Sequence, residues 1–148
     1  SMIILTSFIP MLMDTGGNSG SQACVSIIRG ISLNEIEFRD LGRVVWKEIR
    51  VSVLCGVCLA IACFAKIIVV DMLLLKSESV TYLVAFVVCA TMAVTVCLAK
   101  IVGSTLPLLA KKLGFDPAVM ASPIITTIVD FLSLLVYFAF ATAMLGIG

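Results

Sequence analysis

The chain has 148 residues, 61% of them hydrophobic and 13% charged, with a mean hydropathy of +1.23; soluble domains carry about 25% charged residues, so this is the composition of a membrane domain. A net charge of +1 with so few charges leaves no basic face for nucleic acid. The absence of histidine removes the commonest transition-metal ligand and most acid–base mechanisms near neutral pH.

The first predicted element covers residues 2–28. Its apolar part ends at Met13, too short to cross a bilayer, but small and uncharged residues carry the helical pattern onward. Pro10 removes a backbone hydrogen bond and Gly16, Gly17 and Gly20 loosen the turns that follow, so the spacing predicts a kinked or broken helix whose freed carbonyls line a cavity. Asp14, Asn18 and Gln22, each four apart, form a polar stripe; Gly16, Gly20 and Cys24 form a small-residue stripe beside it. Two readings stand together here: a binding face, and a close-packing face with polar glue. Ser1-Met2 reads as a junction, and no basic n-region of a signal peptide precedes the apolar run, so the chain is expected to begin inside a larger protein.

Residues 33–50 are charged and amphipathic, opened by Ser32-x-x-Glu35 at capping-box spacing, with Trp46 where an interfacial anchor would sit. An interfacial helix is expected. Residues 51–70 form the second span, with Lys66 reaching toward headgroups from its end. Cys55-x-x-Cys58 lies inside this apolar run with no second pair at zinc spacing, and packing is the better reading for all six cysteines. Residues 71–79 are expected to be a polar loop. The third span, 80–109, carries Lys100 and a break at Gly103-Ser104-Thr105-Leu106-Pro107. Another loop precedes the last span, 122–146, with Ser122 as N-cap and Pro123 in the first helical position.

The fold class expected is therefore all-α: an integral membrane protein of four transmembrane helices, the first kinked or broken, plus one interfacial helix. The lysines and arginines concentrate in the first and third loops, which places those loops in the cytoplasm and both ends of the chain outside.

In the last span Pro123, Thr126 or Thr127, Asp130, Ser133 and Tyr137 fall on one face. Asp130 sits roughly 10 Å beyond Pro123 at about 1.5 Å per residue, well inside a core about 30 Å thick. An ionised carboxylate at that depth costs roughly 2.5 to 3.5 kcal/mol and is rarely left facing lipid. It meets either a cation or a lysine or hydroxyl of the bundle. Asp14-Thr15-Gly16 is the tripeptide of aspartic proteases, but no matching motif surrounds Asp130, and the dyad needs two such carboxylates about 3 Å apart. No enzyme is expected. A cation path fits better: magnesium is held by one or two carboxylates through retained waters, and a two-fold dimer would bring two Asp130 side chains together. Thr126, Thr127 and carbonyls near Pro123, Asn18 and Gly17 would order the water shell, while Asp116 would offset the weakly positive helix start.

Pro10 followed by Gly16-Gly17-Asn18-Ser19-Gly20-Ser21-Gln22, then Gly103-x-x-Leu106-Pro107, Asp116-Pro117-Ala118 and Pro123-x-Ile125-x-Thr127-x-x-Asp130, resemble in order the transmembrane domain of the MgtE magnesium channels and their solute-carrier relatives. The resemblance covers almost the whole chain. It implies a homodimer in the plasma membrane whose pore, between the glycine-rich helix and the last helix of each chain, passes hydrated Mg2+, with Asp130 as the ion-binding position. It further implies Asn18, Ser122, Pro123 and Thr126 as pore-lining positions, to which Gly17 and Thr127 are added from the water-shell reading above, and Asp116 and Glu48 as further cation sites on the cytoplasmic side, with Asp14 added to them as a candidate. The resemblance further implies a membrane domain of five helices in the family, so this chain is expected to lack the first of them, together with the cytosolic N-terminal and CBS domains. A sodium- or proton-coupled transporter and a non-conducting dimerisation fragment are the alternative expectations.

Overall fold

The structure, a computed structural model, describes residues 2–76, 80–120 and 123–146, and every element among them is helical. Four long helices follow one another: α1 (Met2–Ser32), α2 (Leu41–Lys66, prolonged by a π-helical stretch Ile67–Leu74), α3 (Tyr82–Lys112) and α4 (Pro123–Leu145). Short 3-10 turns, Phe38–Asp40 and Pro117–Met120, stand before α2 and α4. Among the described residues three stretches are long and apolar enough to cross a membrane: Phe38–Leu74, Tyr82–Lys112 and Pro117–Leu145. At 31 residues α1 has the length but not the composition, because its middle is given over to Asp14, Asn18, Gln22 and glycines.

The helix α3 is the centre of the bundle. It packs against α1, α2 and α4, α1 also packs against α4, and α2 leans chiefly on α3. Accordingly 56% of the most apolar window of α3 is buried inside the bundle, against 17% for α2. The core forms three clusters stacked along the bundle. Leu5, Phe8, Ile67, Val84 and Tyr137 meet at one end, Cys24, Ala99, Ile125 and Val129 in the middle, and Ile27, Ile31, Val44 and Leu108 at the other. The start of α1 therefore shares an end with the finish of α2, the start of α3 and the finish of α4, an up-and-down order.

Several boundaries differ from expectation, each for a local reason. The break in the first segment is absent: residues 2–32 form one helix through Pro10 and the glycines. The glycines serve close packing, since a Cβ on Gly103 of α3 would overlap the carbonyl of Gly20, and one on Gly16 would meet Thr95 and Ser133. Ser32 does not cap a following helix. It ends α1, where Asn34 takes a left-handed conformation (φ 58°) and Asn34 and Glu35 donate to the carbonyls of Ile31 and Gly30, a Schellman closure. The capping exchange appears instead one turn later, where the Glu37 N–H donates to the Asp40 carboxylate at 3.0 Å.

The interfacial helix is not a separate element, because residues 41–50 are the opening turns of α2 and no proline or glycine separates them from the apolar run. The loop expected over 71–79 begins late: residues 71–74 are π-helical, which sets positions five apart in register, and Lys66 pairs with Asp71 at 2.8 Å instead of extending toward headgroups. The same ammonium lies 5.5 Å from the centre of the Phe8 ring. Pro107 does not stop α3, which ends at Lys112 with a second Schellman closure around Gly114 (φ 83°).

Candidate functional site

On α4, helical spacing places Thr126, Asp130, Ser133 and Tyr137 along one seam, and the structure divides that seam into a wet and a dry part. Ser133 is buried and donates to the Val129 carbonyl at 2.6 Å. Tyr137 is buried and its hydroxyl reaches across to the Leu5 carbonyl of α1 at 2.9 Å. Asp130, one to two turns nearer the start of α4, is only half-buried and lies at the edge where α4 meets α1.

The facing residue on α1 is Gly17. A Cβ built there would stand 3.3 Å from Thr126 Cγ2 and 3.7 Å from Asp130 Oδ1, so the carboxylate rests almost on the α1 backbone. Around it opens a recess of about 160 Å3 lined by Met13, Asp14, Gly17, Asn18, Thr126 and Asp130. That is about five times the ~30 Å3 share of one water in the liquid, enough for several waters around an ion. The polar stripe Asp14–Asn18–Gln22 is exposed along its whole length, while the Gly16–Gly20–Cys24 stripe is buried against α3 and α4. One helix thus presents the polar stripe and the close-packing stripe on neighbouring faces.

The structure brings together Asp130, Asp14, Asn18, Gly17 and Thr126 of the expected site, and sets the others apart. The Pro123 carbonyl accepts hydrogen bonds from Thr126 Oγ1 (3.0 Å) and Thr127 Oγ1 (2.8 Å), so it is engaged within the helix; Thr127 lies outside the recess. Asp116 stands in the loop before α4 and accepts from the Ala118 N–H at 2.9 Å. Ser122 lies outside the described residues.

Glu48 occupies a different environment. It is buried on α2, with Lys100 of α3 at 3.8 Å and Lys47 at 3.9 Å from its carboxylate oxygens. Glu48, like Asp71, is thus paired with a lysine of its own chain, and Glu48 is the buried one. Among the described residues no lysine or arginine lies within ion-pair distance of Asp130. Sequence reasoning missed the Glu48–Lys100 pair, although Lys100 is the only charged residue in the interior of the third span, which was a signal that a partner was needed. Lys100 also borders a second recess of about 420 Å3, whose other walls include Asp14, Asn18 and Gln22 of α1 and Cys55 and Cys58 of α2. Cys58 is exposed, so at that position packing in the core does not apply, and all six cysteines are free.

Asp14 and Asp130 supply two carboxylates and no more; among the described residues no group of three or more His, Cys, Asp or Glu side chains converges. The arrangement suits a cation that keeps its water and is held loosely, and does not suit a stripped ion in a full protein cage.

The profile of the family described as "MgtE: Divalent cation transporter" matches residues 9–140, a span that contains every residue of the Asp130 recess. The chain is similar to "Magnesium transporter MgtE" of Bacillus subtilis, with 34% identity over 97% of this chain and 30% of that protein. It is likewise similar to "Magnesium transporter MgtE" of Thermus thermophilus, with 33% identity over 95% of this chain and 29% of that protein. It therefore spans less than a third of the length of these relatives. With the family profile aligned across all four helices, the chain belongs to the MgtE family of divalent cation transporters.

Proposed function

We propose that this chain forms the membrane pathway of a magnesium transporter in the plasma membrane, in which a hydrated ion passes along the recess between α1 and α4 and is held through water by Asp130. The observation that carries this reading is the shared recess: the one carboxylate of α4 rests on the backbone of the glycine-rich helix beside Asp14 and Asn18, with an open side and, among the described residues, no basic partner. In the proposal, α1 crosses the bilayer with the other three helices, both ends of the chain lie outside, and a second copy faces the first across the open side. Two recesses then present two pairs of carboxylates to one ion. The relatives' name supplies the choice of magnesium among divalent ions, and the proposal includes cytosolic regulatory domains as partners of this membrane part.

The proposed mechanism is electrostatic. Carboxylates in a site with low-dielectric walls attract a divalent cation strongly. Because water stays between ion and oxygen, magnesium is not required to shed its tightly held shell, and the ion can leave as well as enter. Asp130→Asn and Asp130→Ala are each expected to abolish magnesium uptake in proteoliposomes while dimer assembly, read by cross-linking, is unchanged. Wild-type uptake by either variant would defeat the proposal.

A further inference from the structure

The outer face of α2 combines two features that the ion pathway does not use. Its opening turns carry Arg43, Lys47 and Arg50, spaced four and three apart so that they share one face, all exposed, with Trp46 beside them at 63% exposure. Arg43 and Arg50 have no ion pair among the described residues, and Lys47 reaches only the buried Glu48, at 3.9 Å. Directly deeper, a concavity of about 650 Å3 runs from Lys47 and Arg50 over Val53, Leu54 and Val57. It continues, through the shared residues Val53 and Val57, into a groove of about 260 Å3 between α2 and α3 that is closed at its floor by Gly56 and Ala93.

We propose that this face binds one anionic phospholipid, its phosphate against Lys47 and Arg50 and an acyl chain in the α2–α3 groove. The lengths agree: seven residues from Arg50 to Val57 span about 10 Å of helix, within the roughly 15 Å that one leaflet contributes to a hydrocarbon core about 30 Å thick. The charge agrees too. The shallow recess above the groove is walled by three cations and by Glu35 and Asp40, so it carries a net positive charge, at the end of the bundle that holds most of the chain's basic residues. The cytoplasmic leaflet toward which such residues orient is the one rich in anionic lipid. Trp46 sits at the level where an indole straddles headgroup and chain. Gly56 is what sets the floor, since it allows α2 to lie against the Ala93 backbone.

The test is native mass spectrometry of the purified protein from mixed micelles containing equal phosphatidylglycerol, phosphatidylethanolamine and phosphatidylcholine. One phosphatidylglycerol per chain is expected to be retained, preferred over each zwitterionic lipid by about tenfold. Lys47→Gln with Arg50→Gln, both at exposed positions, is expected to bring that preference to near unity without changing the thermal unfolding temperature. Val57→Trp, which fills the groove, is expected to lower retention of all three lipids together. Retention that ignores headgroup charge, a preference that survives removal of both cations, or a face covered by a second copy and carrying no lipid would each overturn the assignment.

Discussion

Position 17 shows how much a missing side chain does. Asp130 can rest on α1 only because Gly17 presents bare backbone there; with a Cβ only 3.3 Å from Thr126 Cγ2, an alanine would need a shift of a few tenths of an ångström. A longer side chain would occupy the recess itself. Gly17→Leu is accordingly expected to reduce magnesium uptake at least tenfold while Gly17→Ala retains most of it, measured as initial flux into proteoliposomes. Equal flux from the two variants would place the ion's path elsewhere. That these residues would share a seam was legible in the sequence, because an acid seven residues into an apolar helix and a run of small polar residues at helical spacing both ask for a polar neighbour. What the spacing left unresolved was which oxygens stay free: Thr126 and Thr127 turn back onto the Pro123 carbonyl, as hydroxyls in helices often do.

Among the elements, α2 and α3 are joined by the buried pair Glu48–Lys100 as well as by apolar packing. Breaking a buried pair from one side leaves an uncompensated charge, at a cost of about 3–5 kcal/mol. Lys100→Met is expected to destabilise the fold by an amount of that order, and Glu48→Leu added to it is expected to restore most of the loss, both read by thermal or denaturant unfolding in detergent. A double variant as unstable as the single one would mean that the two residues act independently. This pairing joins residues 52 positions apart on different helices, and no local pattern encodes it. Helix ends were hard to read for a related reason. Ser32-x-x-Glu35 satisfies a capping pattern, but Asn34 two residues later offers a left-handed stop to the preceding helix, and the stop prevails because Ile36 then folds back over Gly30. The π-helical continuation of α2 has no composition signature, and its reward, the Lys66–Asp71 pair, exists only once the turn has widened.

For the whole molecule, the helices form an asymmetric bundle with α3 central, α2 leaning on it from one side, and the polar edge of α1 left open between α2 and α4. An exposed Asp14–Asn18–Gln22 edge on an otherwise lipid-facing surface needs water or a partner. In the proposed dimer that edge faces its copy. With the six native cysteines replaced, Asn18→Cys is expected to form a disulfide between chains in membranes on mild oxidation, whereas Leu83→Cys, on the exposed side of α3, is expected to remain uncross-linked. The reverse outcome would put the two-fold axis on the wrong face.

The hydroxyl of Tyr137 grips the Leu5 carbonyl about two turns along α4 from the acid, and acts there as a rivet between two rods. Together with the close packing of Gly16, Gly17 and Gly20 against α4 it holds the two helices at a fixed separation, and so helps set the spacing at Asp130, roughly 10 Å away along α4. In the proposed pathway the clearance offered to the ion is thus fixed in part by a tyrosine that the ion never touches.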